Sequence, residues 1–254
     1  MDLSRLRRHD FLVVGRAGMD FYAEPPGTPI ESAERFFPAL GGSSANIAVA
    51  IAKLGGTAAL ATTVSDDAVG RYVLNQLKTY NVATDHVRLV KSEVRTSLAV
   101  VETRAENCQS VLYRNNAADF ALSESDIASL PYDKAGALII TGTALAMEPS
   151  RGATLEAIRR AAAHALPVIF DIDYRPYSWT SKAEALAVCG EVARSSQIVI
   201  GNDEEFAVLA PDQDGLAFAR TLAASTAGIV VYKMGEAGAI TRSGKDEFRT
   251  GIYP

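Results

Sequence analysis

Short apolar runs of strand length alternate along this chain with longer stretches in which apolar residues return every three or four positions. Phe11–Gly15 and Thr57–Val64 read as strands. Between them Ser44–Leu54 sets Ile47, Ile51 and Leu54, flanked by Ala48 and Ala52, on one buried helix face. A helix from about Asp67 to Tyr80 follows. After an irregular middle the alternation resumes with strand Ala137–Thr141, a helix near Ser150–Ala165, strand Pro167–Asp171 and a helix near Ser181–Arg194. Strand Gln197–Ile200, helices near Asp203–Leu209 and Gly215–Ala224, and strand Gly228–Lys233 complete it. This βαβα order predicts an α/β fold, with a central, mostly parallel sheet, helices on both faces, and ligands at the carboxyl ends of the strands.

Two segments break the rhythm. Phe21–Leu40 carries Phe21, Tyr22, Phe36 and Phe37 around the turn-rich Pro25-Pro26-Gly27-Thr28-Pro29, and Arg95–Asn115 alternates apolar and polar residues in two runs, Ser97–Thr103 and Ser110–Tyr113. Both read as antiparallel strands, and the pattern alone allows an edge hairpin on the main sheet. No internal repeat or low-complexity tract is visible, so 1–254 reads as one domain.

Composition narrows the function classes. With 48% hydrophobic and 22% charged residues the balance is that of an ordinary globular chain. A net charge of −5 gives no electrostatic reason to bind nucleic acid or an anionic membrane surface, so any site for phosphates is built locally. Cys108 and Cys189 are too few for a disulfide framework and read as free thiols, and His9, His86 and His164 have no ligand-like spacing. Met1 to Asp10 is charged, and no run approaches the length of a membrane span. The expectation is a cytoplasmic protein with neither nucleic acid nor membrane as partner.

The stretch Gly41-Gly42-Ser43-Ser44-Ala45-Asn46 opens the first helix. Gly41 and Gly42 let the backbone pass close to a ligand, Ser43 or Ser44 can cap the first free N–H groups, and the Gly55-Gly56 pair ends the helix. Alone this is a well-capped buried helix. Gly15-Arg16-Ala17-Gly18-Met19-Asp20 closes the first strand but lacks the third glycine of a dinucleotide motif, so that motif fails. Asp20 is either a turn aspartate or a carboxylate that accepts from two hydroxyls at once. In Tyr113-Arg114-Asn115-Asn116-Ala117-Ala118-Asp119, Arg114 is either solvated beside a loop aspartate or free to meet a substrate carboxylate with both arms of its fork.

Asp171-Ile172-Asp173-Tyr174-Arg175-Pro176, with Trp179 beyond, follows a buried strand, and Pro176 stops both sheet and helix. A plain Asp–Arg pair holding the loop is one account of it. In Asn202-Asp203-Glu204-Glu205 an N-cap asparagine with first-turn acids is good helix chemistry in any protein. In Lys233-Met234-Gly235-Glu236-Ala237-Gly238-Ala239 the glycines permit a tight turn, either a hairpin turn or a loop lying against a nucleotide.

Taken together, these motifs resemble the signatures of the PfkB family of carbohydrate kinases, the ribokinase-like enzymes, along most of the chain. Asp-x-Asp-Tyr-Arg-Pro and Tyr-Arg…Ala-Asp are similar to the branch that phosphorylates a dehydro-deoxy sugar acid. The resemblance implies a ribokinase-like fold with a small β-lid, from segments about 16–40 and 95–120, shared across a homodimer. It implies ATP and Mg2+ as cofactors and a small sugar acid as substrate. Asp20, Gly41, Gly42 and Asn46 would hold the sugar, and Arg114 and Arg175 would meet its carboxylate, Arg175 also offsetting charge on the transferred phosphoryl group. Asp173, where the family often has asparagine, would work through magnesium or Arg175. Asn202 and Glu205 would control magnesium and phosphate, with Glu205 as metal ligand, while Lys233, Gly235 and Gly238 would form an ATP-site loop.

The family's second signature, a Gly-Ala-Gly-Asp segment carrying the catalytic aspartate base, does not occur between Met1 and Pro254. The sequence stops at Gly251-Ile252-Tyr253-Pro254, and the expectation is therefore a kinase shortened at its C-terminus, with no base to name and an open sheet edge. Related sugar kinases acting on 2-dehydro-3-deoxygluconate, ribose or fructose, and sugar binding without catalysis, stay open at this point.

Overall fold

The computed structural model describes residues 3–104, 108–225 and 228–252. Residues 105–107 of the expected second lid segment, Met1 of the charged N-terminus, and Tyr253 and Pro254 of the terminal segment lie outside the described residues.

The apolar runs become the middle of one large sheet. β1 (Asp10–Val14) opens it, and the chain then leaves through β2 (Gly18–Glu24) and β3 (Arg35–Gly41) before helix α1 (Ser43–Lys53). β4 (Thr57–Ser65), α2 (Ala68–Thr79) and β5 (Val87–Val90) extend the main sheet, and β6 (Leu98–Val101) and β7 (Ser110–Tyr113) leave it again. After α3 (Glu124–Ala128) come β8 (Ala137–Thr141), α4 (Ser150–Ala163), β9 (Val168–Asp171), α5 (Lys182–Ser195), β10 (Ile198–Asn202), α6 (Asp203–Leu209), α7 (Gly215–Ser225) and β11 (Ile229–Lys233). A hairpin, β12 (Ala239–Ser243) and β13 (Asp246–Thr250), ends the described chain.

The nine main strands lie in the order β13-β12-β11-β10-β9-β8-β1-β4-β5, parallel from β11 to β5 and antiparallel in the hairpin. Alternation across the pleat sends Leu12, Val14, Leu138 and Ile140 into one apolar core and Val13 and Ile139 into the other. Ala45, Ala48, Val73 and Leu77 of α1 and α2 fill the second core. Ala153, Ala157 and Ala161 of α4, with Phe206 and Leu222, fill the first. Both faces of the sheet are covered, as a parallel sheet requires. Among the described residues no helix is long and apolar enough to cross a membrane. Cys108 is exposed, Cys189 is buried, and both are free.

The two irregular segments do not form an edge hairpin on the main sheet. They make a separate four-stranded sheet in the order β3-β2-β6-β7. The β2–β3 and β6–β7 pairs are antiparallel, but β2 and β6 run parallel, because each is the outgoing strand of its own hairpin. Glu102 fastens the loops at the outer end: its buried carboxylate accepts from the backbone N–H groups of Ile30 (3.1 Å) and Gln109 (3.0 Å) and from Arg104 Nε (2.7 Å).

Two expectations about α1 are corrected. Its N-cap is Gly42 and no side chain caps it, because both serine hydroxyls are turned to other partners. Leu54 is 88% exposed, so the buried stripe is Ser44, Ala45 and Ala48, small residues that let the helix lie close to the sheet.

Candidate active site

The site grows from the carboxyl ends of the central strands, where β1, β8, β9 and β10 each hand over to a loop or helix. Gly42 has φ +102, and a Cβ there would run into the carbonyl of Arg16. That carbonyl accepts from Ala45 N at 3.2 Å, so the first turn of α1 is docked on the Arg16 backbone. At Gly41 a Cβ would collide with the carboxylate of Asp20. In this structure the glycine pair therefore makes room for two charged residues as well as opening a helix.

Asp20, Ala99 and Leu112 are cross-strand partners on β2, β6 and β7, so they share one face of the small sheet. That face looks onto a cavity of about 160 Å³ whose wall holds Asp20, Asn46 and Arg175 together, with Arg16, Thr143 and Asp173. Asp20 Oδ1 is buried without a hydrogen-bond donor, and burial pushes its carboxyl above the usual range, against a smaller downward pull from Arg16. A chain of hydroxyls stiffens the floor. Ser44 Oγ lies 3.3 Å from the Val14 carbonyl and 3.1 Å from Thr141 Oγ1, which in turn lies 3.0 Å from Thr143 Oγ1. Ser43 Oγ lies 3.2 Å from Thr143 Oγ1, and Thr143 donates to Asp173 Oδ2 at 2.9 Å.

Asp173 is buried and has φ +36, a conformation that non-glycine residues adopt sparingly and that concentrates at functional loops. Its other carboxylate oxygen pairs with Arg175 Nη2 at 3.0 Å. Arg175 also lines a second, larger cavity of about 650 Å³ with Lys182, Asn202 and Glu205. Here Asn202 and Glu205 form a reciprocal capping box: Asn202 Oδ1 accepts from Glu205 N and Glu205 Oε2 accepts from Asn202 N, both at 2.8 Å. Phe206, fully buried against Tyr232 with ring centroids 5.2 Å apart, holds α6 in this position.

Not every expected residue joins these two cavities. Arg114 is turned to Asp119, with Nη2 at 2.5 Å and Nε at 3.1 Å, and donates to the Thr143 carbonyl at 2.9 Å. Its guanidinium stacks over Phe120 at 4.1 Å. The fork expected to meet a substrate is thus engaged inside the protein, where it supports Thr143 from behind. Lys233, Gly235 and Gly238 lie at the turn between β11 and β12, so the hairpin reading of that segment holds. Lys233 Nζ reaches Asp171 Oδ1 at 3.8 Å, one strand beyond Asn202. Burial pushes the Asp171 carboxyl up to about 6, with Lys233 pulling the other way and Asp173 and Glu205 adding to the rise. Among the described residues no group of three or more His, Cys, Asp or Glu side chains is arranged to hold a metal ion.

The family model for pfkB family carbohydrate kinase matches residues 8–253. The chain belongs to this family of carbohydrate kinases. Two curated relatives carry one name: the 5-dehydro-2-deoxygluconokinase of Photobacterium profundum is 39% identical over 259 residues, covering 99% of this chain and 78% of that protein. The one from Geobacillus kaustophilus is 37% identical over 251 residues, covering 96% and 75%. Among solved structures, a fructokinase double mutant from Vibrio cholerae with fructose, ADP and potassium ion bound is 26% identical with a TM-score of 0.83, covering 96% of this chain and 77% of that one. The fructokinase of Xylella fastidiosa superposes with a TM-score of 0.86 at 22% identity, over 97% of this chain and 76% of that one, and shares the fold.

Kinases of this family use ATP. Of the residues that the resemblance singled out, Asp20, Gly42, Asn46 and Arg175 line the first cavity and Arg175, Asn202 and Glu205 the second. Arg16 and Thr143 on the wall of the first cavity, and Asp171 beside Lys233, were not singled out as site residues. Arg16 stood inside a stretch examined only as a failed glycine motif. Thr143 had no signal beyond following a buried strand, and Asp171, quoted only within the Asp-x-Asp motif, ends β9.

Proposed function

We propose that the chain transfers a phosphoryl group from ATP to the terminal primary hydroxyl of a small sugar acid, 5-dehydro-2-deoxygluconate, giving its 6-phosphate. The observation that carries this reading is that Arg175 lines both cavities, so one fixed cation borders the place where a sugar hydroxyl and a phosphate would meet. The shared name of the curated relatives supports the choice of substrate.

In this reading Asp20 accepts from sugar hydroxyls through its unpartnered oxygen, Asn46 adds an amide, and Gly41 and Gly42 keep the wall open. Arg175 offsets charge during transfer, and most of the rate comes from positioning and electrostatic stabilisation. Asn202 fixes Glu205 through the capping box, and Lys233 with Gly235 and Gly238 borders the nucleotide. The oxygen-only donors fit magnesium, which commonly takes one or two carboxylates and completes its shell with water and substrate phosphates. Asp171, with a buried Oδ1 that lacks a donor, and Glu205 would hold it. When bound, it neutralises charge on the phosphates. No proton acceptor for the hydroxyl is assigned among these side chains.

The small sheet, from segments about 16–40 and 95–120, acts as a lid, and its exposed Phe36, Phe37, Val111 and Tyr113 offer apolar surface for a homodimer. The cytoplasm, where ATP is made available, is the compartment this reading requires. A panel of 5-dehydro-2-deoxygluconate, 2-dehydro-3-deoxygluconate, fructose and ribose, each with ATP, tests it. The first should give the highest kcat/KM. A neutral sugar in first place would overturn the substrate while sparing the kinase, and sugar binding without turnover of ATP would replace the enzyme by a binding protein.

A further inference from the structure

Two arginines, Arg16 and Arg175, line the first cavity, and a third, Arg114, supports Thr143 behind its wall; the last two have their charge met inside the protein. Arg114 is paired with Asp119 at 2.5 Å and Arg175 with Asp173 at 3.0 Å. Arg16 differs: among the described residues it forms no ion pair, and its one side-chain hydrogen bond runs from Nη1 to Ser97 Oγ at 3.0 Å. Burial holds its guanidinium below the ordinary value, while Asp119, Asp20 and Asp173 pull it up and Arg114 pushes it down. Asp20 is its counterpart on the same wall, also without an ion pair, with one oxygen buried and lacking a donor.

A partly buried cation and a partly buried carboxylate that do not satisfy each other are costly unless a ligand completes both. A neutral polyol offers hydroxyls to Asp20 and leaves Arg16 without an anion. A hydroxy acid offers hydroxyls and a planar anionic pair of oxygens that suits a guanidinium fork. The fork is also held in place from behind, because the Arg16 carbonyl is fixed by Ala45 N and by the close approach of Gly42. Finally, Arg175 borders both cavities, whereas Arg16 borders the first and not the second.

We propose that Arg16 is the residue that selects a sugar acid, its guanidinium taking the substrate carboxylate inside the first cavity while Arg175 attends the hydroxyl that accepts the phosphoryl group. This assignment rests on the sugar-acid kinase reading. Calorimetry with 5-dehydro-2-deoxygluconate and with fructose, on wild type, Arg16→Gln, Arg16→Lys and Arg175→Gln, tests it. In Arg16→Gln the ratio of acid affinity to fructose affinity is expected to fall on the order of 10- to 100-fold, the size of a lost charge-assisted contact. Turnover should show that loss in the KM of the acid more than in kcat. Arg16→Lys should recover part of the ratio, and Arg175→Gln should lower kcat while keeping it. An unchanged ratio in Arg16→Gln, or a parallel loss of both ligands, overturns the assignment. If Arg16→Gln does not fold, Arg16→Lys decides by the same ratio, which must fall below wild type. A wild type that prefers fructose would bring down the sugar-acid reading itself, a result separate from any failure of the variants.

Discussion

Asn46 leans into the first cavity from the first turn of α1, and its side chain makes no hydrogen bond to the described residues. It contributes little to the fold and is free to act on a ligand. Asn46→Ala should therefore weaken sugar binding by about 10-fold, the worth of one net hydrogen bond, while leaving the melting temperature in place. Calorimetry showing unchanged affinity would remove Asn46 from the sugar wall. At this scale the sequence told residue types from roles unevenly. Asp20 and Asn46 were singled out through the family resemblance, and the structure sets both on the wall of the first cavity, Asp20 from within β2 and Asn46 from the first turn of α1. The use of Arg114 was not legible, because a bidentate fork serves Asp119 as well as it serves a ligand, and only the folded loop brings the two to 2.5 Å. The serines of α1 misled for a related reason. A hydroxyl at a helix start is a ready cap, but here Thr141 and Thr143 lie within reach and take both serines instead.

Elements that bury continuous apolar runs were readable to within a residue or two, since burial on both faces leaves little freedom in their composition. β8 is buried along its whole length and matches its predicted limits. The elements that escaped are short or one-sided. β5 has four residues and exposes Arg88 and Leu89, α3 has five, and β13 is a polar edge strand whose Phe248 is exposed. In the small sheet, local alternation gave each hairpin but not the parallel β2–β6 pairing, which joins strands far apart in sequence and leaves no local trace. Glu102 is the clasp of that sheet. Replacing it by glutamine removes a charged acceptor from two backbone N–H groups, so amide exchange at Ile30 and Gln109 should quicken while exchange in β8 stays slow. Equal protection in the variant would show that the loops hold without it.

Across the whole molecule, the carboxyl edge of the sheet gathers charge in a poorly hydrated place, and Asp171 records the cost. Its carboxyl rises from 3.8 to about 6, chiefly through burial. Between those values the folded protein keeps a proton that the unfolded chain has released. The stability this group contributes is thus fully present below the lower value and lost as pH rises through the upper one. Asp171→Asn should gain stability over wild type from about pH 5 to about pH 8, by about 1.4 kcal/mol, since about one of the two units lies in that window at 1.36 kcal/mol per unit. Urea melts at the two pH values measure it, and parallel curves would mean that Asp171 ionises as an ordinary carboxylate.

The first cavity belongs to neither sheet alone, since Asp20 and Leu112 come from the small sheet and Asn46, Thr143 and Asp173 from the ends of the large one. A molecule lodged there would touch both sheets at once, as a strut, and Arg175 lines this cavity and the second one. On the proposed assignment of the second cavity to the nucleotide, the geometry that a nucleotide meets would depend on whether the strut is in place. On that proposal such a frame would favour an order of events, acceptor first and phosphoryl donor second, and would guard ATP against water while no acceptor is present.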